Sequence, residues 1–250
     1  MSNALASVAP YALIPVLTTL AGATFAAFRP PGTGTRSAIQ HFAAGVVFSV
    51  VAVELLPDVT RVHDLFEVGW AFAAGVALML LVARLGERLE RGSEGRRAGT
   101  GAAPGARPNV GRLVGVAIDV LLDGLLVGIA FAAGVKEGLL LTAALSLELL
   151  SLGLATAASL TAAGAGRART ILVPTGISLL LVVGAVAGET VLRGASEHTL
   201  AGVLSFGAAA LLYLVTEELL VEAHETPDTT LGTASFFAGF LLFLLLGMLE

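Results

Sequence analysis

Cysteine is absent from the 250 residues, which excludes disulfides, thiolate metal sites and thiol catalysis. Any metal held by this chain therefore meets oxygen or imidazole. Charge is scarce as well: 13% of residues are charged against 56% hydrophobic. A soluble domain of this length cannot cover itself with so little polar surface. The net charge of −5 is modest and gives no nucleic-acid partner. No basic stretch precedes the first apolar run, MSNALASVAPYALIPV. The opening segment is therefore expected to be a spanning helix after a short tail, not a cleaved signal. A nucleophile–base pair, a histidine cluster and a phosphate-binding loop are all missing, so no enzyme is expected.

Long apolar runs are what the chain has instead. Stretches of 18 or more such residues recur, each long enough for a hydrocarbon core roughly 30 Å thick. The expected fold class is an all-α membrane protein with eight transmembrane helices: Ala9–Phe28, Ala38–Pro57, Leu65–Leu85, Val110–Gly134, Gly138–Ala163, Thr170–Leu192, Thr199–Glu222 and Leu231–Leu249. Residues 1–250 form one transmembrane domain, with three helices over 9–85 and five over 110–249. Between them, residues 86–109 carry Gly, Ala, Pro and Arg and are expected to be a flexible, solvated loop.

Basic residues orient this bundle. With both termini outside, the inner side holds Arg29, Arg36, the seven arginines from Arg84 to Arg112, Arg167 and Arg169. The outer side holds only Arg61, Lys136 and Arg193. That asymmetry favours a cytoplasmic 86–109 segment, in a membrane expected to be the prokaryotic plasma (inner) membrane.

Two helices echo one another. The second reads AAGVVFSVVAVELLPD and the seventh GAAALLYLVTEELLVE. Both pass from small residues through an apolar stretch into Glu-Leu-Leu and a further acid. In the expected topology the two run in opposite directions, as in the inverted repeats of many secondary transporters.

Against this apolar background, three acids stand out. Asp119 and Asp123 are the tenth and fourteenth residues of the fourth helix, one turn apart on one face. Glu148 falls near the middle of the fifth helix, with Ser151 three positions later on the same side. An acid at the centre of a spanning helix costs roughly 2.5–3.5 kcal/mol, and no intramembrane Lys or Arg is there to pair with these three. Either some are protonated or they share a cation. The alternative is polar glue between helices, usual for one such residue and unusual for three. An oxygen-rich site suits hard or borderline divalent ions. Glu189, near the outer end of the sixth helix, is an interfacial acid on its own showing. Glu217, Glu218, Glu222, His224 and Glu225 crowd the inner end of the seventh helix, where a solvated helix end and a cation exit are both open. Glu54 and Asp58 sit at the outer end of the second helix, placed to draw cations in. His41 begins that helix and is expected to be interfacial. His63 and His198 fall in outer loops and are assigned nothing.

The segment His41–Asp58, HFAAGVVFSVVAVELLPD, resembles the second transmembrane helix of the ZIP (Zrt/Irt-like) metal transporters. GAAALLYLVTEELLVEAHE, from Gly207 to Glu225, resembles their seventh. The resemblance covers essentially the whole chain and implies a ZIP-like bundle with a 3+2+3 inverted-repeat arrangement. It also implies a transport site on the fourth and fifth helices. The family's fourth-helix pattern, His-Asn-x-Pro-Glu-Gly, aligned on Gly124, falls on Asp119, Val120, Leu121, Leu122, Asp123 and Gly124. The first and fifth positions keep potential ligands; the Asn and the Pro are gone. In the fifth helix Glu148 takes the first ligand position, with Leu149 and Leu152 where the family commonly has metal-binding side chains. A shifted register makes Ser151 a ligand instead. Glu189 matches a sixth-helix acid that some members contribute to the site, and His224 and Glu225 correspond to residues near the cytoplasmic exit.

The function so implied is transport of a divalent cation of the Zn, Mn or Fe class, into the cytosol, with Asp119, Asp123, Glu148 and Glu189 as metal ligands. Glu54, Asp58, Glu218, Glu222, His224 and Glu225 would line its path. All-anionic ligands harden the site, and the lost side chains favour one metal where many relatives hold two. Absence of proline from the fourth and fifth helices should leave them straighter. No cofactor beyond the transported metal is expected; the partners are that metal, the lipid bilayer and, as an option, a second copy in a homodimer. Two alternatives stay open: a metal/proton exchanger or exporter using the same carboxylates, and a non-transporting metal-sensing membrane protein.

Overall fold

The computed structural model describes residues 2–61, 64–98, 110–224 and 229–248, with the backbone alone for 2–7, 89–98, 110–112 and 197. All regular structure among them is helical. Eight helices are long and apolar enough to cross a membrane, and the chain is an integral membrane protein on that ground. We number them α1 (Ser2–Phe28), α2 (Thr33–Val50, continued through Val51–Leu55 and Leu56–Arg61), α3 (Leu65–Ala98), α4 (Val110–Ala133), α5 (Val135–Ala162), α6 (Arg167–Leu192), α7 (Glu197–Tyr213, continued through Leu214–Leu219 and Leu220–Ala223) and α8 (Thr230–Gly247).

α1 begins at Ser2 and its apolar span at Val8. One sequence expectation is corrected. The segment expected as a loop from residue 86 is helical as far as Ala98. Its Glu, Arg and Leu content propagates a helix, and Gly86, Gly92 and Gly95, set apart along it, cost only about 1 kcal/mol each. Residues 99–109 lie outside the described part. The helices α2 and α7 are not uniform. Each contains a π segment, Val51–Leu55 in α2 and Leu214–Leu219 in α7, at the matching Glu-Leu of the echoed sequences. Such segments are rare and are frequent at functional sites. As expected, α4 and α5 contain no proline and run unbroken, joined by Gly134 alone in extended conformation.

The helices sort into two sets by packing. α1 packs on α5 and α6, and α4 packs on α6; α2 packs on α8, and α3 on α7. Narrower contacts of α2 with α5 and of α3 with α4 join the sets. Glycines make the close crossings. A Cβ on Gly124 would stand 2.1 Å from the Leu181 carbonyl oxygen, and one on Gly184 2.3 Å from that of Leu121. At α2/α8, a Cβ on Gly45 would meet the Phe236 oxygen at 2.0 Å and one on Gly239 the Phe42 oxygen at 2.2 Å. Small residues let backbones approach where lipid supplies no hydrophobic drive between helices. Large apolar side chains such as Leu17, Phe28, Trp70, Leu172 and Phe237 remain exposed on the outside. Water does not tolerate so continuous a surface, and lipid tails do.

Candidate metal site

α4 and α5 form a hairpin, so residues at a similar depth face one another. The four-residue spacing of Asp119 and Asp123 turns both acids to one side of α4, and Glu148 meets them from α5. Each of the three offers a carboxylate oxygen within 4.8 Å of the other two. Asp123 is 2% exposed and Glu148 4%. Oδ2 of Asp123, Oε2 of Glu148 and Oγ of Ser151 are buried without a hydrogen-bond partner. Buried polar atoms are ordinarily satisfied, so three orphans in one place mark a site shaped for something other than the protein's own donors.

A cavity of about 430 Å³ leads to this group. Asp119, Glu148, Ser151 and Leu152 form its inner wall; Glu217, Glu218 and Glu222 of α7, with Glu87 of α3, line the other side. It lies among the end of α3, the start of α4, the later half of α5 and the end of α7, which is the end carrying most of the arginines. On the far side of Asp123 the bundle is closed. Leu55, Leu126, Ile129, Leu141, Leu204 and Leu211 surround a void of about 10 Å³ there, room for one water at most.

Ser151 faces the cavity and Leu149 is fully buried in the core, so the α5 face that meets the acids includes 148, 151 and 152. Glu189 does not join the three. It forms an ion pair with Arg193, one turn on. Its backbone nitrogen abuts Gly128, five residues beyond Asp123 and so about 7.5 Å further along α4. Glu54 and Asp58 lie at the closed end. Glu54 is 3.8 Å from the Lys136 ammonium, and Asp58 pairs with Arg61 at 2.8 Å. Glu225 lies outside the described residues.

At the inner mouth the structure makes contacts that sequence did not foretell. Gln40 donates to Glu222 at 2.5 Å. His41, expected at an interface, is 6% exposed and its ring centroid stands 5.0 Å from that of His224. Nδ1 of His41 is 2.9 Å from the Ser37 carbonyl oxygen and Nδ1 of His224 2.5 Å from that of Leu220. A carbonyl only accepts, so both Nδ1 atoms carry the proton. Glu87 was missed because it lies past the apolar run, in the stretch expected to be a loop.

No protein-family model and no curated protein matches the sequence.

Proposed function

We propose that the chain carries a divalent metal cation of the Zn, Mn or Fe class across the membrane, in the manner of the ZIP transporters that its second and seventh helices resemble. The observation that carries this is the meeting of Asp119, Asp123 and Glu148 within 4.8 Å at the blind end of a cavity. Two carboxylates that close repel by about 3 kcal/mol at an effective dielectric constant of 20, and a shared dication reverses the sign. Oxygens bound to one such ion at about 2.1 Å stand at most about 4.2 Å apart. Three oxygens spread evenly around the ion stand about 3.6 Å apart, so the side chains need to close by about 1 Å or less.

A 3+2+3 inverted repeat fits the packing. Relating α1 to α6, α2 to α7, α3 to α8 and α4 to α5 turns the α1/α5 contact into α6/α4, and α2/α8 into α7/α3; each of these pairs is in contact. It also relates the two π segments. With the arginine-rich end in the cytoplasm, the cavity opens inward and Glu217, Glu218 and Glu222 line an exit.

Metal flux into proteoliposomes, assayed with Zn²⁺, Mn²⁺ and Fe²⁺ in competition, tests the proposal. Asp119→Ala and Asp123→Ala should each abolish flux in protein that still folds. Undiminished flux in both would remove the site.

A further inference from the structure

The two echoed helices are alike in sequence but not in circumstance. Setting Glu-Leu-Leu on Glu-Leu-Leu pairs Glu54 with Glu218 and Asp58 with Glu222, and both leading glutamates lie inside π segments. Glu218 and Glu222 line the open cavity. Glu54 and Asp58 face cations instead, Lys136 and Arg61. The Glu54 side chain is 11% exposed, and the chain's single lysine also donates to the Gly247 carbonyl oxygen at 3.2 Å. One ammonium thus ties the late part of α2, the start of α5 and the end of α8 together. Leu55, the next residue, belongs to the apolar plug that closes this end.

We propose that Lys136 is a tethered cation that latches the closed end of the pathway by holding Glu54, and that its release lets Glu54 line an opening on that side as Glu218 lines the cavity on the other. This inference rests on the transport reading. In such a latch Lys136 holds Glu54 while the plug is shut, so loss of either charge shifts the population toward the open plug. Glu54 is nearly buried while Lys136 is 41% exposed, so the pair is screened on one side and its loss should change that population by about fivefold.

The native chain has no cysteine, so single-cysteine labelling reads the plug directly. Leu204→Cys, 5% exposed in the plug wall, is reacted with a maleimide on protein in nanodiscs, where both faces are accessible. Labelling should be slow in the otherwise native chain and about fivefold faster with Lys136→Met or Glu54→Gln. It should be slow again in the exchanged pair Glu54→Lys with Lys136→Glu. Leu126→Cys reports on the same wall should Leu204→Cys not fold. Unchanged rates in both single variants overturn the latch, and so does an exchanged pair that labels as fast as they do. No metal flux enters the readout, so failure here leaves the three-carboxylate site standing, and failure of that site leaves this measurement intact.

Discussion

Asp123 is nine-tenths and more buried, carries an unpartnered oxygen, and sits among two other acids. Such a residue costs the fold free energy, and in the proposed function that cost is exchanged for metal binding, which can be measured. A ligand at 100 times its Kd stabilises by about 2.7 kcal/mol, so the native chain should melt higher in excess Mn²⁺ or Zn²⁺. Asp123→Asn removes one charge from the group and should raise the metal-free melting midpoint in detergent by a few degrees while cancelling the metal-induced rise. A variant that melts lower and still responds to metal would contradict this. These acids were legible because a carboxylate inside an apolar run has few innocent explanations. Glu189, an interfacial acid on its own showing, was joined to them by the family resemblance alone and is not with them. The feature that sets it apart, Arg193 four residues on, was in the sequence, but resemblance to a family acid outweighed it. Gln40 and His41 were illegible because Gln40 meets Glu222 of α7 and His41 lies between the end of α7 and Gly232 of α8, and nothing local to α2 announces which helices will cover it.

At the scale of the helix, glycines decide how closely α4 can approach α6, and therefore where Asp119 and Asp123 are held. Gly124, Gly128, Gly184 and Gly188 alternate across that crossing at four-residue spacing, each with a carbonyl oxygen within 2.4 Å of its would-be Cβ. Backbone cannot step aside as a side chain can. Gly124→Ala and Gly184→Ala should each lose about 1–3 kcal/mol by overpacking. Gly176, in the same α6, has open space around it, and Gly176→Ala should gain up to about 1 kcal/mol from helix propensity. Unfolding of the three variants in detergent checks the contrast, and equal stability in all of them would show that the crossing is slack. The number of spans was legible at this scale, since 18 apolar residues can do little else. The π segments were not. A run such as VVAVELL offers no 3.6-residue polar landmark by which one extra residue in a turn would be noticed. The end of α3 was misplaced for a related reason: loss of apolar character marks where lipid ends, and a helix of Glu, Arg and Leu continues past that point.

For the whole molecule, the sequence supplied eight helices and the echo between two of them, while the partition into α1, α4, α5, α6 and α2, α3, α7, α8 came from packing alone. The partition bears on how the cavity works. Asp119 and Glu148 on one wall belong to α4 and α5, and the facing Glu87, Glu217, Glu218 and Glu222 belong to α3 and α7, so the cavity runs between the two sets and not through either. Both walls are acidic, and the same end of the bundle carries most of the arginines, which the proposed orientation sets on the cytoplasmic side. In the proposed function, a cation leaving the site passes these carboxylates before it meets the arginines. That arrangement gives an exit only if the arginine-rich end faces the cytosol. Cysteines placed at the turns decide it: Gly166→Cys, between α5 and α6, should react with an impermeant maleimide only from the cytoplasmic side, and Ala195→Cys, between α6 and α7, only from outside. The reverse pattern would make the cavity an entrance and turn the proposed direction of transport around, with the site itself unchanged.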